Sequence, residues 1–523
     1  MTLGRASSDP AQAVGTYKLY LPIVRTGLPP VQAPQLKWQN AGCYSSWCET
    51  GWYASPAIAD LDGDTLPEVV AAAYSIFILD GSSGNVEIQV DPDGDREWPG
   101  VVVADIDNDA DLEILTAHDG GYLHAFNHLG SPLWSQQPTP GNELRSLATS
   151  DLDDDGDLEI LVASTISNYQ WWVYDHNGAP LGGSWPQHGP DSDTNGYTAG
   201  AYNENLAVGD LDGDGRGEVV GPNDTHYLAA FHDDGTQIQA NPIYGTGKPW
   251  SRVGVHVDHY VDLRGYANCG TEHRPNFAHS PPIVVDVNND GIQEAVVVGN
   301  VYNCGTNPYS SLYEMPFILN GDRTRWAGDG FDWTVLPIPD GSSGPLMEDY
   351  NVIESSHPNP VAADLDGDGF MEIIYPSYDG RLHAYWLDKT EHHDWPFEVQ
   401  QPGEGFIRFA AEPAVADLNA DGFAEVIFAS WVQKGTNQTG KLHILDWKGR
   451  AIHEIALPGA YGGSNWNGSL AAPSLGDIDG DPGLELVLNT AHSGFVAYEL
   501  PGTQDAVILW STGRGSNLRE GHP

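Results

Sequence analysis

Eight times along this chain an acidic nine-residue segment recurs between two short apolar runs. The clearest copy is Asp364-Leu-Asp-Gly-Asp-Gly-Phe-Met-Glu372, preceded by Pro360-Val-Ala-Ala and followed by Ile373-Ile-Tyr. Asp364, Asp366 and Asp368 stand at alternate positions, Gly369 lets the chain turn, and Glu372 completes the set. Calcium is a hard cation that takes six to eight oxygen ligands in a flexible cage. Alternating carboxylates on a tight turn converge on one such ion, and a main-chain carbonyl between Asp368 and Glu372 adds another oxygen. The flanking runs have the length and composition of buried strands. An acidic turn that is merely solvated has no reason to keep this spacing through eight copies.

The copies begin at Asp60, Asp105, Asp151, Asp210, Asp286, Asp364, Asp417 and Asp477, at intervals of 45, 46, 59, 76, 78, 53 and 60 residues. A unit whose shortest form is near 45 residues matches one four-stranded propeller blade. The second half of the unit repeats too, as in Asp119-Gly-Gly-Tyr-Leu-His-Ala-Phe126 and Asp379-Gly-Arg-Leu-His-Ala-Tyr385. Leu133-Trp134 and Leu509-Trp510 read as outer-strand signals. The expectation is an all-β, eight-bladed β-propeller over residues 36–523, with a calcium loop between the first two strands of each blade and seven blades as the alternative. A length of 523 residues would otherwise suggest three or four domains.

The formal charge of −51 argues against a nucleic-acid partner, since phosphate contacts need a basic surface. The loops themselves hold thirty of the 73 acids, and eight calcium ions would bring the charge to −35. Without metal each loop is a knot of like charge, so the metal-free protein is expected to be much less stable. No run of 18 apolar residues occurs, so no membrane span is expected. The four cysteines lack paired zinc spacing, and an even count in a chain poor in Lys suggests an oxidising compartment. The expected pairs are Cys43 with Cys48 and Cys269 with Cys304, with free buried thiols the alternative.

Residues 1–35 form an N-terminal extension containing one edge-strand candidate, Tyr17-Lys-Leu-Tyr-Leu-Pro-Ile-Val24, which offers a route to self-association through residues 17–24. Gln35-Leu-Lys-Trp38 reads as an outer strand. Because Ala506–Ser511 already supplies a fourth strand to the last unit, Leu36–Trp38 is either the strand that closes the ring or an added fifth. Long inserts fall at 164–170, 183–202, 242–280, 300–314, 326–359 and 430–440. In an antiparallel blade the first-to-second turn lies on one face, whereas second-to-third turns and inter-blade links lie on the other. The inserts therefore gather opposite the metal loops. They carry many aromatic and His side chains, and such loops on a rigid scaffold commonly bind ligands.

The Asp-Leu-Asp-Gly-Asp-Gly-x-x-Glu loops followed by Ile/Val runs resemble FG-GAP (VCBS-type) repeats, the blades of integrin α-subunit propellers. The resemblance implies calcium ligands at the first, third, fifth and ninth positions and a backbone carbonyl at the seventh. In the first half of the chain these are Asp60, Asp62, Asp64, Glu68; Asp105, Asp107, Asp109, Glu113; Asp151, Asp153, Asp155, Glu159; and Asp210, Asp212, Asp214, Glu218. In the second half they are Asp286, Asn288, Asp290, Glu294; Asp364, Asp366, Asp368, Glu372; Asp417, Asn419, Asp421, Glu425; and Asp477, Asp479, Asp481, Glu485. Glu replaces the usual ninth-position Asp, and Asn288 and Asn419 lower the charge of their loops. Thr65, Ala110 and Pro482 stand at the sixth position, where a positive φ would favour Gly. Pro482 is the most incompatible of the three.

Three functions fit this reading. The first is a secreted or cell-surface module, with structural Ca2+, that binds a carbohydrate or protein ligand on its loop-rich face and serves in adhesion. The second is an enzyme resembling the rhamnogalacturonan lyases that are eight-bladed calcium propellers. His256, His259, His273, His279, Arg252 and Arg274 would be its candidate groups. The third is a self-assembling extracellular sheath or filament subunit. No catalytic motif with convincing context appears, so a binder is the leading expectation.

Overall fold

The computed structural model describes residues 30–522, apart from 45–46, 49–52, 91–93, 166–168, 189–201, 205, 308, 340–342, 348–358 and 463. The candidate strand at residues 17–24 lies outside the described residues. Eight antiparallel sheets are arranged as blades around one axis. In blade one the order from the axis outward is Ala57–Ala59, Glu68–Ala72, Ile76–Asp80 and Val86–Val90. Every second strand opens on a loop Glu or places it second, then runs through β-branched and small residues, as in Glu372–Pro376, which is buried along its whole length. Both faces of these strands are covered by neighbouring blades, which is why they read as continuous apolar runs rather than alternating ones. The apolar clusters accordingly lie between blades. Val69, Phe77, Val487 and Phe495, for example, join blades one and eight.

One side chain seals six of the eight blade interfaces in the same way. The outer-strand or outer-edge tryptophans Trp38, Trp134, Trp185, Trp250, Trp333 and Trp395 each donate Nε1–H to a main-chain carbonyl in the next blade. The acceptors are Gly81, His176, Asp233, Gly321, Leu387 and Trp447, at 2.7–3.1 Å. Glycines in the receiving turns give the rings room. A Cβ at Gly84 would sit 2.4 Å from Trp38, and one at Gly178 would sit 2.6 Å from Trp134.

The two ends of the described chain settle how the ring closes. Gln35–Asn40 pairs antiparallel with Phe495–Leu500 as the outer strand of blade eight, so it is the closing strand and not a fifth. The segment expected to be that blade's fourth strand goes elsewhere. Val507–Trp510 pairs with Ala414–Asp417, the inner strand of blade seven, and leads the C-terminal segment into the central shaft. There the main chain bonds inner strands around the ring. Asn517, Leu518, Glu520 and Gly521 offer carbonyls to the amides of Val103, Thr149, Val208 and Val284, and Ser511 does so for Leu475. Arg519, 1 % exposed, donates to the carbonyls of Ser55, Pro56, Val101 and Gly513 and to the Thr512 hydroxyl at 2.8–3.0 Å. Arg514 reaches the carbonyls of Leu206 and Pro282. The outer-strand reading of Leu509-Trp510 fails because a short apolar strand ending in Trp suits a dry shaft as well as a blade edge; Trp510 is fully buried.

Candidate metal centres

All eight acidic loops connect a first strand to a second and therefore ring one end of the shaft. Their architecture is held by hydrogen bonds within each loop. The ninth-position Glu spends Oε2 on the amide of the second residue in every copy. Leu61, Ile106, Leu152, Leu211, Val287, Leu365, Leu418 and Ile478 donate to Glu68, Glu113, Glu159, Glu218, Glu294, Glu372, Glu425 and Glu485 at 2.7–3.1 Å. In seven loops the first Asp accepts the amide of the sixth residue at Oδ2, at 2.7–3.1 Å. That geometry sets the sixth residue at positive φ, including Thr65 at 76° and Ala110 at 75°, where a Cβ is strained. The fourth position is also left-handed in all eight loops. It holds Gly63, Asn108, Asp154, Gly213, Asn289, Gly367, Ala420 and Gly480, a requirement their mixed side chains hide in the sequence.

The remaining carboxylate oxygens converge. In the loops at Asp60, Asp105 and Asp151, one oxygen each from the first, third and ninth residues lie within 4.8 Å of one another. In the fourth loop Asp212 and Glu218 are joined by His232, which the sequence reading missed. Several of these oxygens are buried without a hydrogen-bond donor among the described residues: Asp153 Oδ1, Asn288 Oδ1, Asp366 Oδ1 and Glu372 Oε1. Asn288 spends its amide nitrogen on Asp290 and Asp329, which leaves its carbonyl oxygen for a ligand role. A buried acceptor with no donor is unfavourable unless something positive approaches it. Burial, reinforced by the neighbouring loop aspartates, pushes Glu68, Glu113 and Glu159 up to about 7, Glu294 and Glu425 to about 8, and Glu372 to about 10. All-oxygen groups with orphaned acceptors, as in the loops at Asp151, Asp286 and Asp364, have the chemistry of a site for a hard divalent cation such as calcium. In the eighth loop Asp479, Asp481 and Glu485 are joined by Glu499, from outside the loop.

The opposite end of the shaft is built differently. The second-to-third turns and inter-blade links gather there, and Cys269 and Cys304 form a disulfide between two of them. Cys43 and Cys48 are register partners across a short hairpin. Many insert aromatics turn inward: Trp171, Trp250, Trp333 and Trp431 are at most 1 % exposed, whereas Tyr260, Tyr266 and Tyr309 are at least 60 % exposed. His256 is buried and bonds Asp262 at 2.9 Å, and Arg325 holds the second oxygen of the same carboxylate, so this triad is tied up internally. At the axis itself is a cup lined by Tyr53, Trp98, Tyr202, Glu204, Asn359 and Glu412, among others. Asn359 donates to Glu412 at 2.6 Å and to Glu204 at 3.3 Å. Arg145 stacks 3.4 Å over the Trp98 ring. Trp98 is 6 % exposed, and its Nε1 has no acceptor among the described residues.

Among the described residues no helix is long and apolar enough to cross a membrane. A family model of FG-GAP-like repeats matches residues 151–221 and 364–428. No curated protein matches the chain. Among solved structures, the exotype rhamnogalacturonan lyase YesX is similar with a TM-score of 0.49 at 16% identity, covering 89% of this chain and 75% of that one. Sqt1 of Saccharomyces cerevisiae gives 0.49 at 10% identity, over 87% and 97% of the two chains. The V. cholerae biofilm matrix protein Bap1 gives 0.39 at 15%, over 92% and 93%. Repeated acidic loops, eight antiparallel blades and the two family matches agree: the chain is an FG-GAP repeat β-propeller.

Proposed function

We propose that this propeller is a calcium-stabilised extracellular binding module whose carbohydrate or protein ligand docks on the face opposite the metal loops. The observation that carries the reading is the division of labour between the two ends of the shaft. One end is a ring of short, internally bonded acidic loops. The other collects long inserts that expose Tyr260, Tyr266 and Tyr309 around a narrow axial cup whose carboxylates and amides bond one another. Exposed aromatic rings on such loops stack on sugar or side-chain surfaces, and neighbouring carboxylates and amides orient hydroxyl or amide groups. Calcium serves structure here, because its loops lie at the far end from the cup. The disulfide between Cys269 and Cys304 suits an oxidising compartment.

The test is retention of the calcium-loaded protein on immobilised polysaccharides, including pectic ones, with absorbance read for unsaturated products. Retention without product supports the module. Release of an unsaturated product replaces it with a lyase. Failure of every glycan and protein ligand to bind, while the protein is folded, refutes the binding reading.

A further inference from the structure

The eighth loop has the spacing of a metal site but already contains a cation. Lys37 of the closing strand places Nζ 2.5 Å from Asp479, 3.1 Å from Glu485 Oε1 and 2.8 Å from Glu499. Asp479 and Glu485 are the third- and ninth-position residues of that loop. Glu485 Oε2 accepts the Ile478 amide at 2.9 Å, as its seven counterparts do for theirs. Its Oε1, the oxygen left over for an ion in the other copies, is therefore the one that meets the ammonium. An ammonium has three N–H donors, and here three carboxylates receive them.

Two further observations show that the site is shaped for the lysine. Pairing between the closing strand and Phe495–Leu500 skips a residue between Leu36 and Trp38, and this bulge falls on Lys37. Bulges re-aim a side chain out of the ladder. In addition, Pro482 occupies the sixth position and has no N–H. The bond that fixes the first Asp through Oδ2 in seven loops is missing. Asp477 keeps the Oδ1 bond to the fourth-position amide that Asp60, Asp210 and Asp364 also make, here from Gly480, and adds the Asp479 amide at the same oxygen. The Lys37 side chain is only 14% exposed, which strengthens its attraction to the three acids relative to an open surface pair.

We infer that Lys37 is a tethered replacement for calcium in blade eight, so that the blade closing the ring is held by the chain's own cation and the other seven loops are the metal sites. A metal that can be withdrawn would leave the most consequential seam of the ring to ambient calcium; a covalently attached ammonium does not. The inference rests on the calcium reading of the other loops.

Lys37→Met in the full chain tests it by two measurements. After calcium saturation and desalting, metal analysis should find one more bound calcium per chain in the variant than in the wild type, and Glu485→Gln added to the variant should remove it. In a chelator, below the temperature at which the metal-free wild type melts, amide exchange of Gln35–Asn40 should be about tenfold or more faster in the variant than in the wild type, with recovery on adding calcium. Equal calcium counts, in a wild type that does bind calcium, overturn the inference while leaving the calcium reading of the other loops intact. A wild type that binds no calcium overturns that broader reading. The exchange comparison then decides the role of Lys37: equal exchange in both proteins eliminates it.

Discussion

Replacing Arg519 by Met should be among the most damaging single substitutions in this ring. Its guanidinium donates five hydrogen bonds, four to main-chain carbonyls drawn from blades one and two and from the C-terminal segment itself. Met fills similar length but donates nothing, so four buried carbonyls lose a donor. Charged hydrogen bonds contribute about 1.5–3 kcal/mol each, but the cation's own burial offsets much of that sum. The net loss should be that of breaking a buried charge network, about 4 kcal/mol. At about 2.1 cal/mol/K per residue, unfolding a ring of this size carries about 1 kcal/mol/K, so Tm should fall by about 4 °C in saturating calcium. Amide exchange at Val103, Thr149, Val208 and Val284, all bonded to the shaft segment, should accelerate together. Arg519→Lys keeps the charge with three donors and should lose roughly half as much. A Met variant that melts within a degree of the wild type, with those four amides still protected, would refute the view that the C-terminal segment pins the inner strands.

Removing calcium with a chelator should lower the melting temperature steeply. Each site loses about 2.7 kcal/mol of linkage relative to calcium at a hundred times its Kd, and a calorimetric scan with and without chelator reads the shift. Gly369→Ala, at φ 91°, should cost about 1–2 kcal/mol, whereas Thr65→Gly, at φ 76°, should stabilise its loop; urea midpoints separate the two. Trp395→Phe deletes the 2.9 Å bond to the Trp447 carbonyl and should cost about 1 kcal/mol, adding to Trp134→Phe on a distant interface when the two are combined. His383 is buried, which lowers its pKa, but Asp379 and Glu391 outweigh that and raise it to about 10. The raised value means its stabilising contribution is complete below about 6.5 and is lost as pH climbs toward 10; His383→Gln should flatten that part of the stability–pH curve.

The fold was legible because the loops repeat a chemical demand. Alternating acids with a Glu eight residues on mark each blade whatever the insert length, and the antiparallel topology then assigns the inserts to one face. The left-handed fourth position was not legible, because Gly63, Asn108, Asp154 and Ala420 meet one backbone requirement with four different side chains. Leu509-Trp510 misled because outer strands and the shaft segment share an apolar, aromatic pattern. The tryptophans of the inserts suggested a ligand surface, yet Trp250 and Trp333 seal blade interfaces and Trp431 is buried against Trp466, roles set by neighbours far away in sequence. Lys37 gave no local signal at all: its three acids lie up to 462 positions along the chain.

That separation has a consequence for synthesis. A ribosome adding about 5–20 residues per second needs roughly half a minute to a minute and a half between making Lys37 and making Glu499. Throughout that interval blade one presents its flank to solvent and the newest blade exposes the edge of an incomplete sheet, an invitation to aggregation. The seam can be joined only when the last blade emerges, and the axle is threaded after that. The nascent chain is therefore a long-lived open arc, and the cell must shelter it until both ends have been produced.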